Sequence, residues 1–279
     1  SPYFYSRKDN PNISELEKVI GSLEKSKYSI AVSCGMAAIY LVLDLLKNKD
    51  ILVLNKHVYG CTYRLLQDMS KRRGFILKII DLSEESDWEN IPENTKMVLF
   101  ETPTNPFLKT VKIYELSHYI KRLNPESLVV VDNTWATPLF QRPLEYGADI
   151  SLHSGTKYFS GHSDVMSGIL VTNRDDLHND LRQIRFYGGM VLSPGSAWLT
   201  RRSMQTFNIR MLHHQKVTLD MFEFLKDVPQ VLKVYYPEVD GIQLKGYGGI
   251  IFFELRDDLV NKYDEFTRNL KLFGTGTGM

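Results

Sequence analysis

Between Tyr28 and Thr172 the sequence changes period again and again. Seven short apolar runs, at 28–33 (YSIAVS), 51–55, 76–82, 97–101, 128–132 (LVVVD), 150–153 and 168–172, are separated by stretches of helical spacing such as 36–47 and 113–122. Runs that are apolar at almost every position leave no face for water, so they predict strands covered on both sides. Their β, α, β, α order then demands a mostly parallel sheet with helices on both faces. The expected fold is α/β: a large domain with a mostly parallel seven-stranded sheet flanked by helices, plus a partial smaller C-terminal α/β domain. A chain of 279 residues is long enough to bury such a core.

Upstream of the sheet, Leu16, Val19, Ile20 and Leu23 recur at helical spacing within 13–25, with Ser14 or Asn12 as the expected cap. Beyond Pro194 one long helix is predicted over 197–225. It carries Met204, Phe207, Met211 and Phe222 on a broad face and bridges into the second unit. There 247–255 (YGGIIFFEL) reads as a strand and 259–273 as a helix.

Charge and composition exclude several classes. Thirty-four basic against 33 acidic residues give a net charge of +1, and the one cationic cluster is Lys71-Arg72-Arg73, so a nucleic-acid footprint is absent. No run reaches the roughly 18 apolar residues of a membrane span, and the start, SPYFYSRKDNP, lacks the features of a signal peptide. Neither nucleic acid nor membrane is therefore an expected partner. Cys34 and Cys61 build neither a disulfide framework nor a thiolate metal site, so the cytoplasm is expected. No metal is expected, because His213-His214 and the other histidines lack ligand spacing. No G-x-S-x-G elbow is present, and the GTGTG run at 274–278 has no strand before it to make a dinucleotide loop.

In an open parallel sheet, ligands bind at the carboxyl ends of the strands, and polar residues collect there in this sequence. Ser33-Cys34-Gly35-Met36 opens a helix, whose free amides and positive dipole end suit a phosphate. A turn that needs glycine for its own geometry accounts for Gly35 equally well. Asp132 ends a buried strand and needs a cation or donors; Thr134 follows it. Glu101 and Asn105 sit in a loop stiffened by two prolines, which a structural turn would also explain. The sharpest signal is Ser154-Gly155-Thr156-Lys157. It places a lysine after a buried strand, between two hydroxyls and the water-excluding Tyr158-Phe159, a setting suited to Schiff-base chemistry. Together these sites suggest one ligand with a phosphate, a basic ring nitrogen and an aldehyde: pyridoxal 5'-phosphate (PLP). Tyr59 would stack on its ring and carry a proton.

The motifs YSRKDNP, SCGMAA, YGCTYRL, ETPTNP, DNTWATPLFQRPLEYGADI and LHSGTKYFSGHSDVMSG, with RMLHH and GYGGIIFFEL more weakly, occur in that order along almost the whole chain. In this the sequence resembles the Cys/Met-metabolism PLP-dependent enzymes: cystathionine γ-synthase, the cystathionine γ- and β-lyases, and methionine γ-lyase. The resemblance implies that Lys157 bears the cofactor, that Asp132 pairs with its ring nitrogen, and that Gly35, Met36, Ser154 and Thr156 hold its phosphate. Tyr59 stacks on the ring, and Glu101, Asn105 and Thr134 complete the cofactor's surroundings. Tyr5 and Arg7 would reach the phosphate of a neighbouring subunit, implying a homo-oligomer, expected to be a tetramer built from dimers with shared active sites.

The same resemblance divides the chain into an arm (1–9), a large PLP-binding domain (10–203), and a bridging helix with a partial small domain (204–279). A longer natural protein is then expected, with an arginine for the substrate carboxylate beyond residue 279. The implied activity is γ-elimination or γ-replacement on cystathionine-, methionine- or O-acylhomoserine-type substrates. β-Elimination is one alternative, and a PLP-binding regulatory protein with vestigial catalysis a second. Cys61 in YGCT is similar to methionine γ-lyases, whereas DNTW is similar to bacterial β-lyases; a small buried filler is the other reading of Cys61. Ser167, the SPGSAW stretch and Val217 depart from the family pattern on what is expected to be the substrate side.

Overall fold

The computed structural model describes residues 3–274. Its main sheet contains β1 (Tyr28–Val32), β2 (Ile51–Asn55), β3 (Ile76–Ile80), β4 (Thr95–Glu101), β5 (Leu128–Asp132), β6 (Ile150–Ser154) and β7 (Gly168–Thr172). Their spatial order is β1-β7-β6-β5-β4-β2-β3. β7 alone runs antiparallel to its neighbours β1 and β6, so the other six strands end at one edge.

Around the sheet lie α1 (Pro11–Glu24), α2 (Gly35–Leu43), α3 (Gly60–Arg73), α4 (Ile113–Leu123), α5 (Thr137–Phe140), α6 (Asp175–Gly188), α7 (Pro194–Ser203) and α8 (Phe207–Lys226). A two-stranded ribbon, β8 (Val231–Tyr235) with β9 (Phe252–Leu255), and α9 (Tyr263–Asn269) follow.

Alternation along each strand sorts the core into two layers. Val32, Leu52, Leu54, Leu99 and Val130 face α2, α3 and α6. On the other face, Val53, Val98, Phe100, Val129 and Val131 meet α4, while Ala31, Ile169 and Val171 meet α1, α7 and α8.

Several boundaries differ from the sequence reading, each for a local reason. α1 is capped by Asn10, whose side chain accepts the Asn12 N–H; Pro11 at the first position has no N–H to satisfy. α2 ends at Leu43, short of the expected Lys47. β3 is an edge strand, not a central one, and leaves Ile76 and Ile79 exposed. The single helix expected over 197–225 is two, α7 and α8, separated by a 3-10 turn at Met204–Thr206, where the Thr206 hydroxyl donates to Ser203 O. Only Phe252–Leu255 of the expected strand over 247–255 forms one. Upstream of it, the Tyr247 N–H goes to Gln215 Oε1 and the Gly249 N–H to Tyr158 Oη, so side chains take the amides that a ladder would use. The helix expected over 259–273 is a 3-10 turn at Asp257–Lys262 and then α9. The GTGTG run lies outside the described residues beyond Gly274.

β7 is packed hard against the turn between β1 and α2. A Cβ added at Gly168 would fall 2.1 Å from the Cys34 carbonyl oxygen, a backbone atom that cannot swing aside. Gly168→Ala is expected to cost about 1–3 kcal/mol as overpacking, read from the denaturant midpoint at unchanged m-value.

Candidate active site

The strand ends bring most of the sequence-derived candidates to one edge. Gly35 begins α2, and Cys34 before it is extended and caps nothing with its side chain. The first helical hydrogen bond runs from Ala38 N–H to Cys34 O at 3.1 Å, so the Gly35, Met36 and Ala37 amides precede the ladder. The glycine is required by close approach: a Cβ at Gly35 would sit 2.8 Å from Ser154 Cβ at the end of β6. Its φ is not left-handed, so turn geometry is not the reason. Thr156, two residues on, accepts the Ser167 N–H at 3.2 Å and lies 3.3 Å from Ser167 O.

Ser154 is also joined to the carboxylate. Its N–H donates to Thr134 Oγ1 at 2.8 Å, and the Thr134 hydroxyl and N–H donate to Asp132 Oδ1 at 2.5 and 3.0 Å. Thr134 thereby ties β5 to β6. Burial pushes the Asp132 carboxyl above the usual range; the two Thr134 bonds and the nearby His153 pull it back. His153 is itself buried on β6 and bonds Glu24 of α1, which is equally buried. Neither residue drew attention in the sequence, because 129 positions separate them.

Glu101 and Asp132 are register partners at the ends of β4 and β5. Glu101 Oε1 accepts the Tyr59 N–H at 2.7 Å; its buried Oε2 has no partner among the described residues. Burial first, and the Asp132 charge second, push the Glu101 carboxyl well above the carboxylate range, against the opposing Tyr59 bond. Tyr59 stands before α3 and is 49% exposed. Its hydroxyl contacts the Cys61 thiol, and that contact, followed by burial, raises its pKa, so it keeps its proton at neutral pH. Cys61 is half-buried, so it is not the fully packed filler of the bland reading.

Lys157 lies half-buried in the turns that follow β6. Its N–H reaches Ser154 O at 3.2 Å and its carbonyl accepts the Gly161 N–H at 2.6 Å. Tyr158 and Phe159 beside it are buried, as expected. Asn105 sits in the loop that leaves Glu101, closed by Thr104 and Lys109, which exchange N–H to O and N–H to Oγ1 bonds. That loop leans on the β2 side, where the Phe107 ring meets His57 edge-on at 5.2 Å.

Two candidates lie apart from this constellation. Arg7 donates through Nε to Tyr5 Oη at 2.9 Å and through Nη1 to Phe186 O at 2.8 Å, with its guanidinium 4.3 Å from the Phe186 ring centroid. Within its own chain the arm therefore rests on the end of α6. A buried amide cluster was also missed: Gln141 Nε2 donates to Thr102 O and to Asn133 Oδ1, while Gln243 Nε2 donates to Gln141 Oε1 and to Val111 O. It binds the β4 loop, the β5 end and the segment after β8. Nothing in the local pattern around either glutamine marks such a link.

The sequence matches the profile of the Cys/Met metabolism PLP-dependent enzymes over residues 1–278. The chain belongs to this family. Among its relatives are a cystathionine beta-lyase of Lactococcus lactis subsp. cremoris, 40% identical over 97% of this chain and 73% of the relative, and an L-methionine gamma-lyase of Fusobacterium nucleatum subsp. polymorphum, 41% identical over 91% and 67%. The fold superposes on cystathionine gamma synthase from Xanthomonas oryzae pv. oryzae with a TM-score of 0.95 at 33% identity, covering 100% of this chain and 74% of that one. The chain is thus a PLP-dependent enzyme of the α/β architecture expected from its sequence. Among the described residues no helix is long and apolar enough to cross a membrane.

Glu101 gives a pH-dependent prediction. A carboxyl held above its ordinary value of 4.5 contributes stability that is complete below that pH and is lost as pH rises through the raised value. Glu101→Gln keeps the neutral shape, still accepts the Tyr59 N–H, and does not titrate. Its melting temperature should match the parent in acid and exceed it by a margin that grows toward neutral pH, measured by calorimetry. A margin independent of pH would contradict the neutral assignment.

Proposed function

We propose that the chain breaks or exchanges the bond at Cγ of cystathionine-, methionine- or O-acylhomoserine-type amino acids, by γ-elimination or γ-replacement. The observation that carries this reading is the unbroken line Ser154 N–H, Thr134 hydroxyl, Asp132 carboxylate, with Gly35 pressed against one end and Lys157 three residues beyond Ser154. It supports a ligand with an anion at one end and a basic ring nitrogen at the other. Amides without acceptors at the start of α2 suit the phosphate, and a carboxylate whose bonds all fall on Oδ1 suits the ring nitrogen. The residues fit PLP.

When bound, PLP supplies the electron sink that makes first the Cα and then the Cβ proton of the substrate removable. The protein's part is positioning and proton transfer. Gly35 and Met36 offer amides, and Ser154 and Thr156 hydroxyls, to the phosphate. Asp132 keeps the ring nitrogen protonated, and Thr134 holds that carboxylate in place. Burial and the Asp132 charge push the Glu101 carboxyl up and favour its neutral form, which disfavours a second negative charge there. Asn105 borders the cofactor from the β4 loop. Lys157 would hold the cofactor through Nζ, and the same amine would move protons at Cα and Cβ of the substrate. Tyr59 would pack against the ring and give a proton to the departing sulfur or oxygen, with Cys61 beside it on the substrate side.

Tyr5 and Arg7 serve the phosphate of a neighbouring subunit, which makes the working unit a homo-oligomer, a tetramer built from two dimers with shared active sites. In support, Phe4 and Tyr5 on the arm, Tyr187 at the end of α6, and Tyr59 and Met166 beside the strand ends are all exposed. The functional division is then 1–9 as arm, 10–203 as cofactor domain, and 204–279 as bridge and small-domain segment. The free thiols of Cys34 and Cys61 suit a reducing compartment, the cytoplasm.

Lys157→Ala is expected to abolish turnover, and Tyr59→Phe to lower kcat by about 10²–10⁴ while cofactor content stays high. With cystathionine as substrate, 2-oxobutyrate and ammonia report γ-elimination, pyruvate reports β-elimination, and a new thioether from O-acylhomoserine and a thiol reports replacement. Full turnover in Lys157→Ala, or pyruvate as the main product, would overturn the reading.

A further inference from the structure

The break between α7 and α8 has a chemical correlate. Arg210, one turn into α8, donates to four oxygens: Nη1 to Tyr158 O at 2.9 Å, Nη2 to Phe159 O at 3.4 Å and Ser203 O at 3.1 Å, and Nε to Thr206 Oγ1 at 3.0 Å. Two of these are the carbonyls of the residues directly after Lys157, and the other two belong to the helix break. Among the described residues no carboxylate pairs with this guanidinium; three carbonyls and a hydroxyl take that place, as for a basic side chain capping the end of a helical turn.

Gly161 tightens the arrangement. Its φ is +67°, its N–H closes the turn onto Lys157 O, and a Cβ there would lie 2.0 Å from Arg210 Nη1. From the outer side, the Tyr158 hydroxyl accepts the Gly249 N–H at 2.8 Å and the His214 ring packs edge-on against the Tyr158 ring at 5.6 Å. Among the described residues, Arg210 is thus the one side chain that bonds both the turn bearing Lys157 and the α7–α8 junction.

We infer that Arg210 is a positioning residue that holds the Lys157 turn in the geometry needed for bond formation between Nζ and the cofactor aldehyde. This rests on the reading of Lys157 as the cofactor lysine. The bond joins Nζ to the aldehyde carbon with loss of water, and Arg210 touches neither atom. A backbone drift of about 1 Å at a reacting group costs roughly a hundredfold in rate, so two missing carbonyl anchors should register kinetically.

The test uses the full-length enzyme stripped of cofactor and mixed with PLP. Borohydride added at set times traps the product, and pyridoxyl-lysine is located by peptide mass. Arg210→Met should slow labelling of Lys157 by about tenfold or more, with kcat falling and KM moving far less, and Arg210→Lys should recover part of the rate. Arg210→Gln, which keeps a polar side chain but loses the fork that reaches both carbonyls, should slow labelling in the same direction and serves if Arg210→Met does not fold. Labelling of Lys157 at the parental rate in Arg210→Met or in Arg210→Gln would overturn the inference alone, as would a lowered melting temperature with unchanged labelling and kcat. Label on a different lysine in the unsubstituted enzyme would overturn the assignment of Lys157, and this inference with it.

Discussion

Parallel pairing of β4, β5 and β6 sets Glu101 beside Asp132 and Asp132 beside Leu152, and most of the site follows from that register. Two carboxyls on adjacent parallel strands stand about 5 Å apart at the backbone. Both cannot be charged in a buried setting without a large penalty. The structure separates their roles by environment. Asp132 receives two donors from Thr134 and the influence of His153, whereas Glu101 receives one backbone N–H and feels the Asp132 charge. The Thr134 hydrogen bonds favour the charged form of Asp132, whereas burial and the Asp132 charge push the Glu101 carboxyl up, and a one-residue slip of β5 would take Asp132 out of this register.

The supports of this pair come from distant sequence. Glu24 on α1 orients His153, Thr134 bridges to Ser154, and Gln141 with Gln243 secures the loop after Glu101. Each is a hydrogen-bonded link between segments that the fold, not the sequence, makes neighbours. Spacing along the chain carries no trace of them. The strands were legible because apolar runs buried on both faces leave a continuous signature in sequence, as in LVVVD. Asp132 and Lys157 were legible because a polar group at the end of such a run needs an explanation. β3 was misplaced because ILKII is as apolar as a central strand, and only the sheet order shows that β2 separates it from β4.

The same logic explains the failure at 197–225 and 247–251. Helical spacing of apolar residues continues across Met204–Thr206, since Met204 and Phe207 both enter the core, so periodicity gives no warning of the break. What ends α7 is a competition for the Ser203 carbonyl, won by Thr206 and Arg210 side chains. Likewise Tyr247 and Gly249 have strand-like neighbours, yet their amides are claimed by Gln215 and Tyr158. Tertiary hydrogen bonds overrode local pattern at both places, and both are contacts of the segments that brace the Lys157 turn.

The departures from the family pattern also change meaning in three dimensions. Ser167 is fully buried rather than placed at an open substrate surface. Its peptide group holds the Thr156 hydroxyl, and its own hydroxyl lies 3.3 Å from Thr200 Oγ1. A Cβ at Gly155 would meet Ser167 Oγ at 2.3 Å, so the serine is accommodated because residue 155 is glycine. Residue 167 therefore acts through Thr156 and couples to the choice at 155. Val217 lies exposed on α8, and Ser193 and Ser196 of SPGSAW spend their polar groups on capping α7. Among the described residues none of the three bonds to the Tyr59–Cys61 pair, where the proposed function puts the substrate side.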